Sequence, residues 1–287
     1  MHILHATDGS ASAVTVREVV ASVADPTRVQ VTVVSVVPAG VPALKHLSDA
    51  LRMTDHRAAA VEAVDVAADR LRAAGFKVET TTPEGRPDAV IAEVAASRDV
   101  DLLALGAGPA GILTGRLLGS TTTALLHGPL PVLVARRRPT AGRPHVVVGT
   151  DGSDHALRAA RLGAGLLDPR RCDVTVASVG VLRVATPDAP YGGYAVSALS
   201  PEVEGEVLDP ARRHADEAAA AYGDQGFAVS TQAVMGHPLT RLLAIADDVG
   251  ATLVVVGSRG ISYPDRAFLG SVSDQLVRHA PATLVGR

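Results

Sequence analysis

The 287 residues include no tryptophan, no asparagine, three phenylalanines, four tyrosines and one cysteine. With so few aromatic rings, there is little surface on which the bases of a single strand could stack, which argues against nucleic acid as a partner. A lone Cys172 makes an internal disulfide impossible, no CxxC pair offers a zinc site, and the lack of asparagine removes any N-glycosylation sequon. Cys172 stands between Arg171 and Asp173 at a strand start and reads as a surface thiol without a special role. No apolar run approaches the ~20 residues that span a bilayer, and the chain opens on a strand, not on a basic and apolar leader. These features lead to the expectation of a cytoplasmic protein with no membrane partner. What is abundant is small and aliphatic: 47% of residues are hydrophobic, almost all Val, Ala and Leu, at a net charge of −3. This suits thin layers of buried strands and helices, in one or two domains.

The sequence repeats itself. MHILHATDGS at 1–10 returns as PHVVVGTDGS at 144–153, an offset of 143. Further on, Glu84-Gly85-Arg86-Pro87 corresponds to Met235-Gly236-His237-Pro238, and Gly119-Ser120 to Gly270-Ser271, at an offset of 151. The eight extra residues fall in a longer loop between Leu182 and Asp209, which holds Tyr191 and Tyr194 and could serve as a flap, an exposed loop or a contact. Two copies of one unit therefore occupy 1–138 and 145–287, joined by a linker at 139–144.

Within the first copy, strands at 3–6, 29–37, 76–82, 100–105 and 131–136 alternate with helices at 10–24, 49–74, 87–97 and 117–127. Gly75 suits a C′ position and Pro87 an N1 position. Strands near 146–149, 173–182, 227–234, 251–256 and 282–286 repeat the pattern in the second. Uncharged β-branched runs such as Val29–Val37 predict strands buried on both faces. The fold class that follows is α/β: two tandem doubly wound, flavodoxin- or Rossmann-like domains, each with a five-stranded parallel sheet. Ligands on such sheets bind beyond the carboxyl ends of the strands, where strand order reverses.

Directly after Leu253–Val256 comes GSRGISYPDRAFLGS, with Gly257 and Gly260 three apart, nine residues between, and then Gly270-Ser271 at a helix start. Free backbone amides and the positive end of a helix are a recipe for holding phosphates. The alternative is that Gly257 and Gly260 only turn the chain and Ser271 only caps a helix. This spacing, with TDGS after the first strand and the HAP run at 279–281, resembles the universal stress protein family in its tandem form, over nearly the whole chain. The resemblance implies ATP as ligand, with Mg²⁺ accompanying its phosphates. It assigns Asp151 and Val179 to the adenosine end, and Gly257, Ser258, Arg259, Gly260, Gly270 and Ser271 to the ribose and phosphates. In the first copy it assigns Asp8, Val36, Gly106, Gly108, Gly119 and Ser120. There Pro109 replaces the second glycine and removes an amide, and Gly108 stands where Arg259 stands in the second, so that ATP is expected to bind more weakly. The resemblance also implies pairing through the fifth strands, Val132–Ala135 against Ala282–Val285, as an internal pseudo-dimer. A homodimer and unknown protein partners remain open.

Competing motifs fail on context. GAGPAG at 106–111 fits GxGxxG but follows the fourth strand, and no acid stands about twenty residues on, where Pro131 sits. A Walker A loop is absent, as are HExxH, HxH and GxSxG. His127 and His279 end helices, where a donor to the last carbonyls is the plain role. No side chain is marked as a base for water attack, so catalysis beyond slow ATP hydrolysis is not expected. The function expected is an ATP-binding, stress-response regulator or sensor. The alternatives are a scaffold that binds no nucleotide or a weak adenine-nucleotide hydrolase.

Overall fold

The computed structural model describes residues 1–39, 47–108, 118–186, 189–194, 201–260 and 269–287. The chain divides into two compact units, Met1–Pro139 and Thr140–Arg287. No helix is long and apolar enough to cross a membrane among the described residues.

The first unit opens with β1 (His2–Ala6) and α1 (Ala11–Val23), then β2 (Gln30–Val34) and the short β3 (Val37–Pro38). After α2 (Leu47–Ala73) come β4 (Lys77–Thr81), the short β5 (Glu84–Gly85), α3 (Pro87–Ser97), β6 (Leu102–Gly106), α4 (Ser120–Leu126) and β7 (Val132–Ala135). Its five main strands are parallel, in the order β4-β2-β1-β6-β7. The reversal point lies between β1 and β6, which pair directly, His5 opposite Ala104. The predicted signals hold locally. Pro87 occupies N1 of α3, and Gly75 ends α2 at φ +95°. Two predicted elements change. The strand expected to run to Val37 stops at Val34, because Val37–Pro38 pairs separately with β5. The helix expected from 117 begins at Ser120, since Gly119 has extended N-cap geometry.

The second unit has β8 (His145–Thr150), α5 (Asp154–Leu166), β9 (Asp173–Gly180), β10 (Arg183–Thr186), β11 (Ala189–Tyr194) and α6 (Pro201–Gly223). It continues with β12 (Val229–Met235), α7 (Pro238–Asp248), β13 (Leu253–Gly257), α8 (Ser271–His279) and β14 (Ala282–Gly286). The main strands are again parallel, in the order β12-β9-β8-β13-β14. Every residue of β13 is buried, as a strand covered by helices on both faces must be. Burying a valine this way contributes about 1.5–3 kcal/mol relative to leaving it exposed.

The expected long loop between 182 and 209 is mostly built. β10 and β11 form an antiparallel hairpin, and α6 starts at Pro201 and runs through Pro210. The side chains of Tyr191 and Tyr194 lie outside the described residues, so the flap reading does too.

Cys172 is fully buried, not at the surface, and burial pushes its thiol up to about 11. Beside it Tyr222 is wholly buried, packed edge-on to Phe227, with its hydroxyl lacking a hydrogen-bond partner. A buried hydroxyl without a partner is a desolvation cost with no return. Tyr222→Phe is therefore expected to be neutral or to stabilise by about 1 kcal/mol, read by urea denaturation.

Candidate functional site

Both units make the same turn after their first strand. In the second, Thr150 Oγ1 accepts from the Gly152 amide at 3.2 Å, Asp151 Oδ1 accepts from Ser153 N at 3.1 Å, and Ser153 caps α5 by accepting from Ala156 N at 3.3 Å. Thr7, Asp8 and Ser10 repeat these bonds at 3.2, 3.0 and 3.3 Å. Gly9 and Gly152 sit at φ +76° and +77°, left-handed values that favour glycine. The turn presents the Asp151 carboxylate at the carboxyl end of β8, beside β13, where Gly149 pairs with Val256.

The glycine loop closes on itself with backbone bonds. Ser258 N donates to Gly286 O at 2.7 Å, Gly270 N to Ser258 O at 2.8 Å, and the Ser273 hydroxyl to Gly257 O at 2.7 Å. Ser153 Oγ donates to Arg259 O at 3.3 Å, tying this loop to the TDGS turn. The N-cap of α8 is Gly270, which has no side chain to cap the first amides of the helix, so its positive end is not satisfied by its own N-cap residue. Burial holds the His155 imidazole below its ordinary value, and Arg158, Arg259 and Arg287 lower it further against the opposing influence of Asp154, so guanidinium groups stand close enough to this side of the cleft to attract an anion.

These elements enclose a cleft of about 770 Å³, within the range that holds a nucleotide-sized ligand. The structure brings Asp151, Val179, Gly257, Arg259, Gly260, Gly270 and Ser271 onto its walls. Val179 lies one residue past the last β8–β9 pair, Thr150 with Ser178, where β8 has turned away. Ser258 is placed differently: it is fully buried, with its hydroxyl against His155 Nδ1 at 3.2 Å and away from the cleft walls.

Two glycines do different jobs that the sequence did not reveal. A Cβ on Gly257 would lie 2.6 Å from Ala156 N and 2.7 Å from the His155 carbonyl carbon, so the first turn of α5 rests on the bare backbone of β13. A Cβ on Gly260 would instead lie 2.5 Å from Asp151 Oδ2.

The sequence reading missed the roof. Val207, Pro210, Ala211 and His214 on α6, and His237, Pro238 and Leu242 at the start of α7, also line the cleft. Pro238 at N1 marks where α7 begins. Nothing in the local pattern marks the face of α6, because that face is defined by strands far away in sequence.

In the first unit Asp8 is exposed and Val36, Gly106 and Gly119 are half-buried. Gly106 packs on Ser12 as Gly257 does on His155 and Ala156, with a Cβ falling 2.7 Å from the Ser12 carbonyl carbon. Gly108 stands at φ +93°, and a Cβ there would lie 2.5 Å from Gly119 N. Where the second unit carries the Arg259 side chain, the first presses two glycines together at the start of α4, beside Ser120. Pro109 lies outside the described residues.

Comparison with known proteins agrees with the repeat. The family model described as the universal stress protein family matches residues 1–136 and again 142–285. The universal stress protein YxiE of Bacillus subtilis is 29% identical over 132 residues, 46% of this chain and 89% of that protein. The universal stress protein Mb2019 of Mycobacterium bovis is 33% identical over 194 residues, 66% of this chain and 59% of that protein. Among solved structures, a universal stress protein from Archaeoglobus fulgidus superposes with a TM-score of 0.66 at 23% identity, over 100% of this chain and 98% of that one. A putative universal stress protein from Pseudomonas aeruginosa gives 0.57 at 18% identity, over 99% and 92%. With the family model matched twice along its length, this chain belongs to the universal stress protein family and carries that domain in tandem.

Proposed function

We propose that the second unit binds ATP and that the protein acts as a nucleotide-dependent regulator or sensor in a stress response. The observation that carries this reading is the convergence, on one cleft at the strand-order reversal, of a carboxylate, a guanidinium and an uncapped helix start. Asp151 and the strand end at Val179 would take the adenosine. Arg259 and the amides from Gly270 onward would take the phosphates, whose charge they offset. No group of three metal-ligating side chains occurs among the described residues, so Mg²⁺ would arrive on the phosphate oxygens. The first unit repeats the carboxylate turn but has Gly108 in place of Arg259, and would bind the same ligand more weakly.

Calorimetric titration of ATP into the full chain tests the reading. Asp151→Asn keeps an oxygen for the Ser153 amide while removing the charge. It is expected to weaken binding at least about tenfold, the scale of a charge-assisted hydrogen bond, with an unchanged thermal midpoint. Phosphate release should stay near background. Absence of heat in the wild type would leave a scaffold that binds no nucleotide, and rapid phosphate release would make the protein a hydrolase.

A further inference from the structure

His214 stands half-buried on α6, where it lines the cleft beside the turn that carries Asp151. Its ring lies so close to Gly152 that a Cβ added there would come within 2.5 Å of Nε2 and 2.8 Å of Cγ. Besides His214, the wall that α6 gives to the cleft consists of the apolar Val207, Pro210 and Ala211, at three- and four-residue spacing, together with Glu206.

The simple explanation for such a ring is that it fills space and holds the turn. The repeat within this chain speaks against that explanation. In the first unit the equivalent position is Ala63, whose Cβ is 3.5 Å from the place a Gly9 Cβ would take. Yet the first turn has the same three hydrogen bonds and a φ within one degree of its twin. The turn thus forms equally well over alanine. The imidazole adds nothing its backbone requires, and what it does add is a flat polar ring on a cleft wall, within reach of whatever Asp151 holds.

Resting on the proposal that this cleft binds ATP, we infer that His214 is a ligand-contacting residue at the nucleoside end. Its imidazole packs on the nucleoside and offers it a hydrogen bond, and it distinguishes the second unit's affinity from the first's independently of Pro109. A five-membered heteroaromatic ring can stack on a base and donate or accept at a sugar hydroxyl. Inorganic triphosphate carries neither group, so it provides the internal control.

The test is titration of the full chain with ATP and, separately, with inorganic tripolyphosphate, in the wild type and in His214→Ala, the residue the first unit already uses. The expected result is a loss of about five- to twentyfold in ATP affinity, the scale of one hydrogen bond with its packing, and tripolyphosphate affinity unchanged within error. Equal loss for both ligands would mean that His214 only supports the cleft, and equal ATP affinity in the two proteins would remove it from the site; either overturns the inference while leaving ATP binding intact. A wild type that binds no ATP overturns both. Thermal midpoints of the two proteins should agree, since alanine is tolerated in the twin turn.

Discussion

Gly257→Val is expected to destabilise the second unit by about 3 kcal/mol or more, the upper end of overpacking costs. A Cβ at 257 meets backbone atoms, Ala156 N at 2.6 Å and the His155 carbonyl carbon at 2.7 Å. Backbone cannot step aside as a flexible side chain can, so either α5 lifts from the sheet or β13 shifts against β8 and β14, with which it pairs. All four tyrosines, at 191, 194, 222 and 263, fall in the second unit. Tyrosine fluorescence during urea denaturation therefore follows that unit alone, and its midpoint should drop sharply in the variant. Gly260→Ala makes the contrast. Its Cβ would press on Asp151 Oδ2, the far end of a side chain, so stability should fall by less than about 1 kcal/mol, and the proposed ATP binding should weaken. Loss of ATP binding in Gly257→Val would then report a broken unit, not a lost phosphate contact. If the tyrosine midpoint of Gly257→Val matched the wild type, the packing account of this glycine would be wrong.

That contrast shows what a sequence can and cannot carry. The two TDGS turns, Pro87 and Pro238 at helix starts and the uncharged strand runs are local signals, and the elements they mark stand close to where they were expected, apart from the strand that ends at Val34 instead of Val37 and the helix that begins at Ser120 instead of 117. The pairing of β8 with β13 cannot be derived from the sequence and is only what the site requires; the structure supplies it. Long-range features were hidden. The loop expected between Leu182 and Asp209 contains the first turns of α6, which begins at Pro201 and tolerates Pro210 at the cost of one amide donor to Glu206. Cys172, flanked by Arg171 and Asp173, looks exposed, and only packing around Tyr222 shows otherwise. His214 lies sixty-two residues from Gly152, and no periodicity predicts that the ring would meet that backbone. The phosphate-loop motif, too, mixed two jobs: Gly257 is required by a neighbouring helix, whereas Gly260 gives room to a carboxylate in the cleft.

The first unit should lose stability in mild acid, and His5 should be the main cause. Its side chain is 1% exposed near the end of β1, where the twin strand carries Val148. Nδ1 lies 3.3 Å from Ala104 O, which fits a donated hydrogen bond from the neutral ring, and Nε2 has no partner. Burial, and secondarily Arg17, lower its pKa to about 4 from 6.5, against the opposing influence of the Ala104 carbonyl and Asp8. The sign follows from proton counting. Above pH 6.5 neither the folded nor the unfolded chain protonates His5, so stability does not respond to it. Between pH 6.5 and 4 the unfolded chain takes up a proton that the folded chain refuses, and stability falls with falling pH; below 4 both are protonated and the loss levels off. At about 1.4 kcal/mol per pH unit, the whole window amounts to about 3 kcal/mol. His145 and His155 of the second unit are also held low, chiefly by burial, but both are partly exposed and add less. Far-UV circular dichroism in urea from pH 8 to 4 should show a transition, silent in tyrosine fluorescence, whose midpoint retreats below pH 6.5. His5→Val, which installs the residue of the twin strand, should flatten that retreat and raise stability most at pH 4. Equal acid losses in wild type and His5→Val would place the sensitivity elsewhere in the unit.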